Sequence, residues 1–277
     1  MDRKEAIQLL KKYNINLINK KSATKKTKEY LVTDSFNESR VDNMLNLVDI
    51  VPNKNQKVPV LNYHFFYSHE QPNSCNETIC ISDKLFKEHI DYLIANDYDI
   101  LTMSEYIDFL YGRINIKEKS VLITVDDGAF GTSDILPSIL EEKKVHATLF
   151  LISSWWDIKN YQKSKYLEIY SHGHNLHHND YCNDNGCGIK TLLLKKEQLL
   201  DDLDKSIKTV NSKKAFCYPF YSSNENVRKT VKEIGFQVAF GGGNKPSTIN
   251  SNKYLLPRYV IYKNTTVEQL KKMLTNN

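Results

Sequence analysis

Four histidines form a dense group of possible metal ligands. They make up half of the eight histidines in the chain and lie within seven residues of one another: His172, His174, His177 and His178. Imidazole is the most common side-chain ligand of zinc, and two histidines with one carboxylate leave a coordination position open for water. A metal-bound water has a pKa of about 7 and is a nucleophile at neutral pH. The alternative is an incidental surface cluster.

Two adjacent carboxylates, Asp126 and Asp127, follow a run of β-rich residues at 121–125 and precede Gly128. In parallel β/α folds the reactive groups collect where strands end. Neighbouring residues that leave a strand point in different directions, so one carboxylate can bind a cation while the other accepts a proton. A plain Asp-Asp-Gly turn is the alternative, because Asp and Gly are good turn formers. Together with the histidines, the pair predicts a functional metal site.

These residues need a scaffold, and the hydrophobic pattern after residue 57 predicts alternating strands and helices. Strands are predicted at 58–63, 98–101, 120–125, 146–152, 215–218, 237–240 and 254–261. Helices are predicted at 83–95, 104–111, 135–142, 192–210, 226–234 and 267–274, with His89 on the surface of the first. This alternation predicts an α/β fold with parallel strands, either a barrel or a doubly wound sheet.

The composition predicts one main domain with an appendage. Residues 1–57 are rich in Lys, Asn and Asp and are predicted to form an N-terminal extension or stalk, while 58–277 form the main domain. The chain of 277 residues is 40% hydrophobic, enough for a substantial core. A net charge of +5 from scattered residues argues against nucleic-acid binding. No apolar run approaches the ~18 residues of a membrane span. We expect the protein to be a monomer.

The five cysteines allow three interpretations. Cys75 and Cys80 have the same spacing as Cys182 and Cys187, and Cys217 stands apart. The two pairs are compatible with short-loop disulfides, which form in an oxidising compartment. A second metal cluster and five reduced thiols are the other two possibilities.

The region from 58 to the C-terminus resembles the NodB-homology polysaccharide deacetylases, carbohydrate esterase family 4. The first motif of that family is similar to Thr-Val-Asp-Asp-Gly at 124–128. Pro-Val-Leu-Asn-Tyr-His at 59–64 and the series Phe86, Leu93, Asp97, Tyr98 resemble the branch that deacetylates poly-β-1,6-N-acetylglucosamine. The resemblance implies a distorted (β/α) barrel of NodB-homology type, preceded by the N-terminal extension.

The resemblance also selects a metal site. In the β-1,6 branch two histidines stand five residues apart, as do His172 and His177, which carry the Ser-His and Leu-His signatures. Many other members space them four apart, which would select His174 and His178 instead. With Asp127 as the carboxylate ligand, the resemblance implies a divalent metal: zinc, with nickel or cobalt as alternatives.

Other residues acquire roles from the same resemblance. Asp126 becomes the general base. The arginine that begins the third motif in many members is missing here, and Arg258 resembles the arginine that replaces it in the β-1,6 branch and pairs with the base. The third motif lies at 214–221, where the Phe220 N–H is the expected oxyanion donor and Tyr221 stands in place of the usual glycine. The late Leu-x-His motif is absent, so His64 is the candidate general acid.

The candidates for a sugar-binding groove are four aromatic residues: Tyr218, Tyr221, Trp155 and Trp156. At least one of the two tryptophans is expected to pack in the core instead. The implied substrate is a bacterial surface polysaccharide containing N-acetylglucosamine, most similar to poly-β-1,6-N-acetylglucosamine. Peptidoglycan, chitin oligomers or an O-acetyl ester are alternatives, as is an inactive glycan-binding module. The implied location is extracellular or at the cell surface, with a signal or anchor that this sequence lacks.

Overall fold

The structure, a computed structural model, describes residues 53–129 and 131–275. The predicted extension lies outside this part except for its last five residues. The described residues divide into two compact units, a smaller one of 53–57, 105–118 and 248–250, and a larger one of 58–104, 119–129, 131–247 and 251–275. Within the smaller unit the Asn53 N–H donates to Asn115 Oδ1 at 2.8 Å. Every residue predicted to form the site belongs to the larger unit.

Twelve short strands lie in the described residues. In chain order they are β1 (Val60–Tyr63), β2 (Phe65–Tyr67), β3 (Cys80–Ser82), β4 (Asp99–Ile100), β5 (Ser120–Asp127), β6 (Ala147–Leu151), β7 (Leu167–Ser171), β8 (Tyr181–Asn183), β9 (Gly186–Gly188), β10 (Ala215–Cys217), β11 (Val238–Phe240) and β12 (Tyr259–Val260). The main sheet is parallel and has the order β11-β10-β7-β6-β5-β1-β12, with β4 paired to the first two residues of β5.

The main sheet closes into a barrel through the residues before β12. Leu256 forms a bridge with Phe240 in β11, and its backbone N–H donates to the Ala239 carbonyl at 2.9 Å. Three residues later Tyr259 lies opposite Leu61 in β1. The same segment therefore touches both edges of the sheet, and the predicted (β/α) barrel is confirmed. Pro257 interrupts it because proline has no N–H, so the strand predicted at 254–261 is reduced to two residues.

Seven helices accompany the strands in the described residues. They are α1 (Asp83–Ala95), α2 (Met103–Leu110), α3 (Ile135–Lys143), α4 (Lys190–Leu193), α5 (Lys196–Val210), α6 (Glu225–Glu233) and α7 (Val267–Thr275). The single helix predicted at 192–210 is wrong, because Leu194 and Lys195 have extended backbones with ψ of 143° and 155°. No helix in the described residues is long and apolar enough to cross a membrane.

The strands supply the centre of the core. All eight residues of β5 are buried, and its apolar side chains pack with those of β1, β6, α1 and α3. A second cluster joins α5, α6 and β10 through Leu203, Val231 and Phe216. The surface position predicted for His89 is wrong: its side chain is fully buried.

The cysteine pairs form disulfides. Cys75 is bonded to Cys80 in the connection between β2 and β3, and Cys182 to Cys187 across the β8–β9 hairpin. Cys217 is a buried free thiol at the end of β10. Of the three interpretations, the structure therefore shows the short-loop disulfides.

Candidate active site

Three possible metal ligands meet at the carboxyl-terminal edge of the barrel. Asp127 is the last residue of β5, His172 follows β7 directly, and His177 lies in the loop beyond it. Asp127 Oδ1 is 3.1 Å from His172 Nε2 and 3.3 Å from His177 Nε2. Since the ends of parallel strands share one edge, the barrel brings together residues 45 to 50 positions apart in the sequence.

The backbone at the end of β5 directs the Asp127 carboxylate. Asp127 has a φ of 72° and Gly128 a φ of 90°, both in the left-handed region. A Cβ on Gly128 would lie 2.7 Å from Leu151 Cδ1 and would be strained at this φ, so glycine is favoured in this turn. The chain therefore leaves the strand sharply, and the two neighbouring carboxylates face different partners.

The atoms around Asp127 call for a cation. His172 Nδ1 is 2.9 Å from the Cys217 carbonyl oxygen and must carry a hydrogen, which leaves a lone pair on Nε2 in the neutral ring. Burial lowers the pKa of His177 to about 4, so this ring is neutral at pH 7. Asp127 Oδ1 is buried and has no hydrogen-bond partner among the described residues.

The surroundings of His172 also favour a positive charge beside Asp127. Burial alone would lower its pKa, but interactions with Cys217 and with the carboxylates of Asp127 and Asp126 raise it well above the ordinary value. Either a proton or a metal ion supplies that charge. Two imidazole nitrogens and one carboxylate oxygen form a donor set that divalent transition metals use. The Cys217 carbonyl holds the His172 ring in orientation.

Asp126 is held by a fully buried arginine. Arg258 Nη1 donates to Asp126 Oδ1 and Nη2 donates to Oδ2, both at 2.8 Å. Burial would raise the pKa of this carboxyl, but the charge and hydrogen bonds of Arg258 outweigh burial and hold the pKa well below its ordinary range. Asp126 is therefore ionised and fixed in orientation.

Two further residues complete this arrangement and were not predicted from the sequence. Asn62 Oδ1 accepts a hydrogen bond from Arg258 at 2.9 Å, so its amide nitrogen faces Asp126 Oδ2 at 3.2 Å and the Tyr221 hydroxyl at 3.0 Å. Cys217 Sγ lies 2.9 Å from Arg258 Nη2. Asn62 stands inside the 59–64 motif, which was its only signal.

His64 is a buried neighbour of Asp126 and Tyr221. Its Nε2 is 3.3 Å from the Tyr221 hydroxyl and 3.9 Å from Asp126 Oδ2. Burial is the main cause that lowers the pKa of His64, with a smaller contribution from the charge of Arg258. The ring is therefore neutral in the free site at pH 7.

The turn after Pro219 has an unusual backbone. Phe220 and Tyr221 both have positive φ, 53° and 57°, which is uncommon for residues other than glycine. The Phe220 ring packs against His177 at an interplanar angle of 37°, with 4.2 Å between the ring centres. Tyr221 takes the left-handed conformation at the position where the resembled family has glycine, so the substitution retains the turn at an energetic cost.

These groups share one cavity of about 480 Å³. It is lined by the following predicted site residues: His64, Asp126, Asp127, His172, His177, Phe220 and Tyr221. Its volume lies within the range of small-molecule sites, and a few polar groups converge in it.

Known proteins are similar to this chain in sequence and in fold. Residues 113–239 match the family model described as polysaccharide deacetylase. The chain contains a polysaccharide deacetylase domain. A protein of Staphylococcus aureus strain MSSA476 named poly-beta-1,6-N-acetyl-D-glucosamine N-deacetylase is 26% identical over 221 residues, which cover 72% of this chain and 73% of that protein. A Staphylococcus epidermidis protein of the same name is 27% identical over 200 residues, covering 65% of this chain and 68% of that protein.

Solved structures share the fold. The de-N-acetylase from Aggregatibacter actinomycetemcomitans has a TM-score of 0.68 at 22% identity, covering 79% of this chain and 100% of its own. IcaB from Ammonifex degensii has a TM-score of 0.65 at 20% identity, covering 80% of this chain and 98% of its own. At these identities the likeness shows the fold alone. The family match over 113–239 and the relatives named N-deacetylases indicate an enzyme of the polysaccharide deacetylase type.

The other histidines near the deacetylase site have partners away from Asp127. His174 Nδ1 is 3.1 Å from Ser153 Oγ, and His178 Nε2 is 2.9 Å from Asn175 Oδ1. The structure thus brings the pair spaced five apart to the carboxylate, and not the pair spaced four apart.

The predicted substrate-binding aromatics of the deacetylase are placed differently from one another. Trp155 and Trp156 are 45% and 36% exposed, so the expectation that one would pack in the core is wrong. Trp155 lies edge-on to His177, with ring centres 5.5 Å apart. Tyr218 is fully buried, and its hydroxyl donates to the Tyr254 carbonyl, so the structure does not bring Tyr218 to the cavity.

Proposed function

We propose that this protein is a metal-dependent hydrolase that removes N-acetyl groups from poly-β-1,6-N-acetylglucosamine at the surface of a bacterium. The observation that carries the proposal is the convergence of Asp127, His172 and His177 beside a carboxylate paired with a buried arginine. The names of the staphylococcal relatives support the choice of substrate.

Asp127, His172 and His177 hold the metal in this proposal. Zinc suits their nitrogen and oxygen donors, and nickel or cobalt is the alternative. A divalent ion bound there would polarise the acetamide carbonyl and lower the pKa of a bound water. The Cys217 carbonyl fixes His172 in the tautomer that presents Nε2 to the ion.

Asp126 is the general base. Its carboxylate takes a proton from the attacking water, and Arg258 keeps it ionised before the reaction begins. Arg258 is a positioning residue in this scheme, because its guanidinium contacts Asp126 and Asn62 and does not line the cavity.

The Phe220 backbone N–H donates to the carbonyl oxygen as negative charge develops on it. The location of Phe220 against His177, beside the metal ligands, supports this role. Tyr221, Trp155 and Trp156 contribute surface for the sugar, while Tyr218 supports the turn from the core side.

His64 protonates the leaving amine. Because its pKa is lowered in the free site, it must gain a proton during the reaction. The neighbouring carboxylate of Asp126, 3.9 Å from Nε2, is the group that returns the proton taken from water. The C–N bond then breaks with its electron pair on nitrogen, and acetate and a free amine leave.

The disulfides support an extracellular or cell-surface location. Both Cys75–Cys80 and Cys182–Cys187 form in the larger unit, and such bonds persist in oxidising compartments. This location also gives the enzyme access to a surface polysaccharide.

The deciding experiment measures acetate release from β-1,6-linked N-acetylglucosamine oligomers, with and without a chelator, alongside peptidoglycan fragments and chitin oligomers. We expect chelator-sensitive release from the β-1,6 oligomers. The Asp126→Asn variant should bind metal as the wild type does and lose activity by a factor of about 10² to 10⁴. Release from another substrate alone would overturn the choice of polymer. A fully active Asp126→Asn variant would contradict the assignment of the base, and a metal-loaded protein inactive on every substrate would indicate a glycan-binding module.

A further inference from the structure

A second cavity of about 640 Å³ adjoins the catalytic one. Tyr262 lines both cavities, and its side chain is 53% exposed. The two cavities therefore adjoin at one exposed aromatic ring, which a chain of sugars bound in the first can cross to reach the second.

The wall between the cavities is the disulfide-bonded loop at 75–80. Its residues alternate: Glu77 and Ile79 line the catalytic cavity, whereas Asn76 and Thr78 line the second one. The disulfide links the two ends of this loop.

Lys263 fixes the same loop from the other side. Its Nζ donates to the Cys75 carbonyl at 2.7 Å, and its backbone N–H donates to the Thr78 carbonyl at 2.8 Å. The second cavity is thus built from restrained backbone, and its shape does not depend on a freely moving loop.

The chemistry of the second cavity suits a neutral sugar. Tyr262 offers an aromatic face to the apolar face of a pyranose ring. Asn76, Asn264 and Gln269 offer amide donors and acceptors for hydroxyl and acetamide groups. The charged residues lining the cavity are lysines, Lys263 and Lys272, and its lining contains no carboxylate.

We infer that this cavity is a sugar subsite that binds an acetylated unit of the polymer next to the unit undergoing deacetylation. The inference rests on the proposed function, because it takes the substrate to be a chain of N-acetylglucosamine. The lysines disfavour a glucosamine unit, whose ammonium carries the same charge. A unit that has already reacted is therefore a poor occupant, and the enzyme leaves acetylated units beside its products.

Oligomer length provides the first test. We compare kcat/KM for β-1,6-linked oligomers of two to six N-acetylglucosamine units in the wild type, Tyr262→Ala and Tyr111→Ala. Tyr111 is 40% exposed, lines neither cavity, and serves as the matched control. We expect kcat/KM of the wild type and the control to rise with length, and Tyr262→Ala to reduce that rise about tenfold, the value of one aromatic contact of roughly 1.4 kcal/mol.

The outcomes are distinguishable. A wild type that is active on all lengths without a rise, or a Tyr262→Ala variant that loses the same factor at every length, overturns the subsite and leaves the proposed function intact. A wild type that is inactive at every length overturns the proposed function.

Charge provides the second test. Lys272 is exposed on α7, so Lys272→Glu should fold normally. The substrates are a fully acetylated hexamer and a hexamer with alternate units already deacetylated. We expect Lys272→Glu to raise the ratio of kcat/KM for the partly deacetylated over the fully acetylated hexamer several-fold. An unchanged ratio would show that the cavity does not discriminate by charge.

Discussion

Two adjacent aspartates acquire opposite environments through their backbone. Asp126 still follows the strand and meets Arg258, while Asp127 has a positive φ and turns toward the histidines. One carboxylate is thus neutralised by a buried guanidinium and the other is left for a cation. At this scale, local backbone geometry decides which chemistry an identical side chain can perform.

The same reasoning predicts an unusual order of stability at Tyr221. With a φ of 57°, a residue with a Cβ costs about 1 kcal/mol more than glycine. We therefore expect Tyr221→Gly to be more stable than Tyr221→Ala by about 1 kcal/mol in urea unfolding. Both variants lose the phenol ring, so the comparison isolates the backbone.

Ser222 supplies the matched control for this pair. Its φ is −93° and its ψ 124°, an extended conformation that any residue adopts. Ser222→Ala should therefore be more stable than Ser222→Gly, the reverse order. Equal or greater stability of Tyr221→Ala relative to Tyr221→Gly would show that the turn carries no such strain.

At the scale of elements, buried polar side chains join pieces of the larger unit that are distant in sequence. His89 on α1 accepts a hydrogen bond from the Tyr63 hydroxyl of β1 at Nδ1, 3.1 Å away, and donates from Nε2 to the Thr265 carbonyl at 2.8 Å. The bond accepted at Nδ1 requires the neutral ring, whereas Nε2 donates in either protonation state. The helix is thereby attached both to the first strand and to the connection before α7.

This arrangement makes stability depend on pH. Burial lowers the pKa of His89 to about 4 in the folded state, against about 6.5 unfolded. Between these values the unfolded chain binds the proton and the folded one does not, so stability falls as the pH decreases. We expect His89 to account for a loss of about 2 kcal/mol between pH 7 and pH 5.

Urea unfolding at the two pH values measures this effect. His89→Gln should lose about that amount of the pH dependence, whereas His69→Gln, at a half-exposed position, should retain it. If His89→Gln showed the slope of the wild type, the buried neutral histidine would not be its source.

At the scale of the whole molecule, the candidate metal site ties together separate parts of the barrel. Its donors come from the end of β5, the end of β7 and the loop after it. A ligand that binds only the folded state raises stability by about 4 kcal/mol at a thousandfold excess over its Kd. Metal should therefore stabilise this domain without being required for folding, since the core is extensive.

Removal of the metal tests this expectation. A chelator should lower the Tm of the wild type by several degrees and leave its circular dichroism at 25 °C unchanged. Asp127→Ala should start from a lower Tm and show no response to the chelator. Complete unfolding of the wild type by the chelator would instead indicate a structural metal.

The sequence predicts this fold well where hydrophobic periodicity is uninterrupted. The helix at 83–95 was predicted with the bounds it has, and β5 was predicted two residues short. The break at Leu194 was missed because the apolar spacing of a helix continues across it. β7 was missed because Glu168 and Ser171 dilute its apolar pattern.

Some residues of the candidate site can likewise be predicted from the sequence, and others cannot. Carboxylates and histidines at strand ends can be recognised in the sequence from their type and spacing, and the resemblance to a family assigns a role to each. Asn62 and Cys217 cannot be recognised in this way. Their contacts with Arg258 depend on how β1, β5 and β10 are arranged around that residue. That arrangement is a long-range property, which a single sequence does not display.

The position of Arg258 also bears on how the protein is made. It follows Asp126 by 132 residues, so at ribosomal speeds of 5–20 residues per second it is synthesised on the order of 10 s later. During that interval the carboxylate has no guanidinium, and burying it alone is costly. The catalytic edge of the barrel therefore cannot mature before the segment at 256–260, which carries Arg258 and contacts both edges of the sheet, has been synthesised.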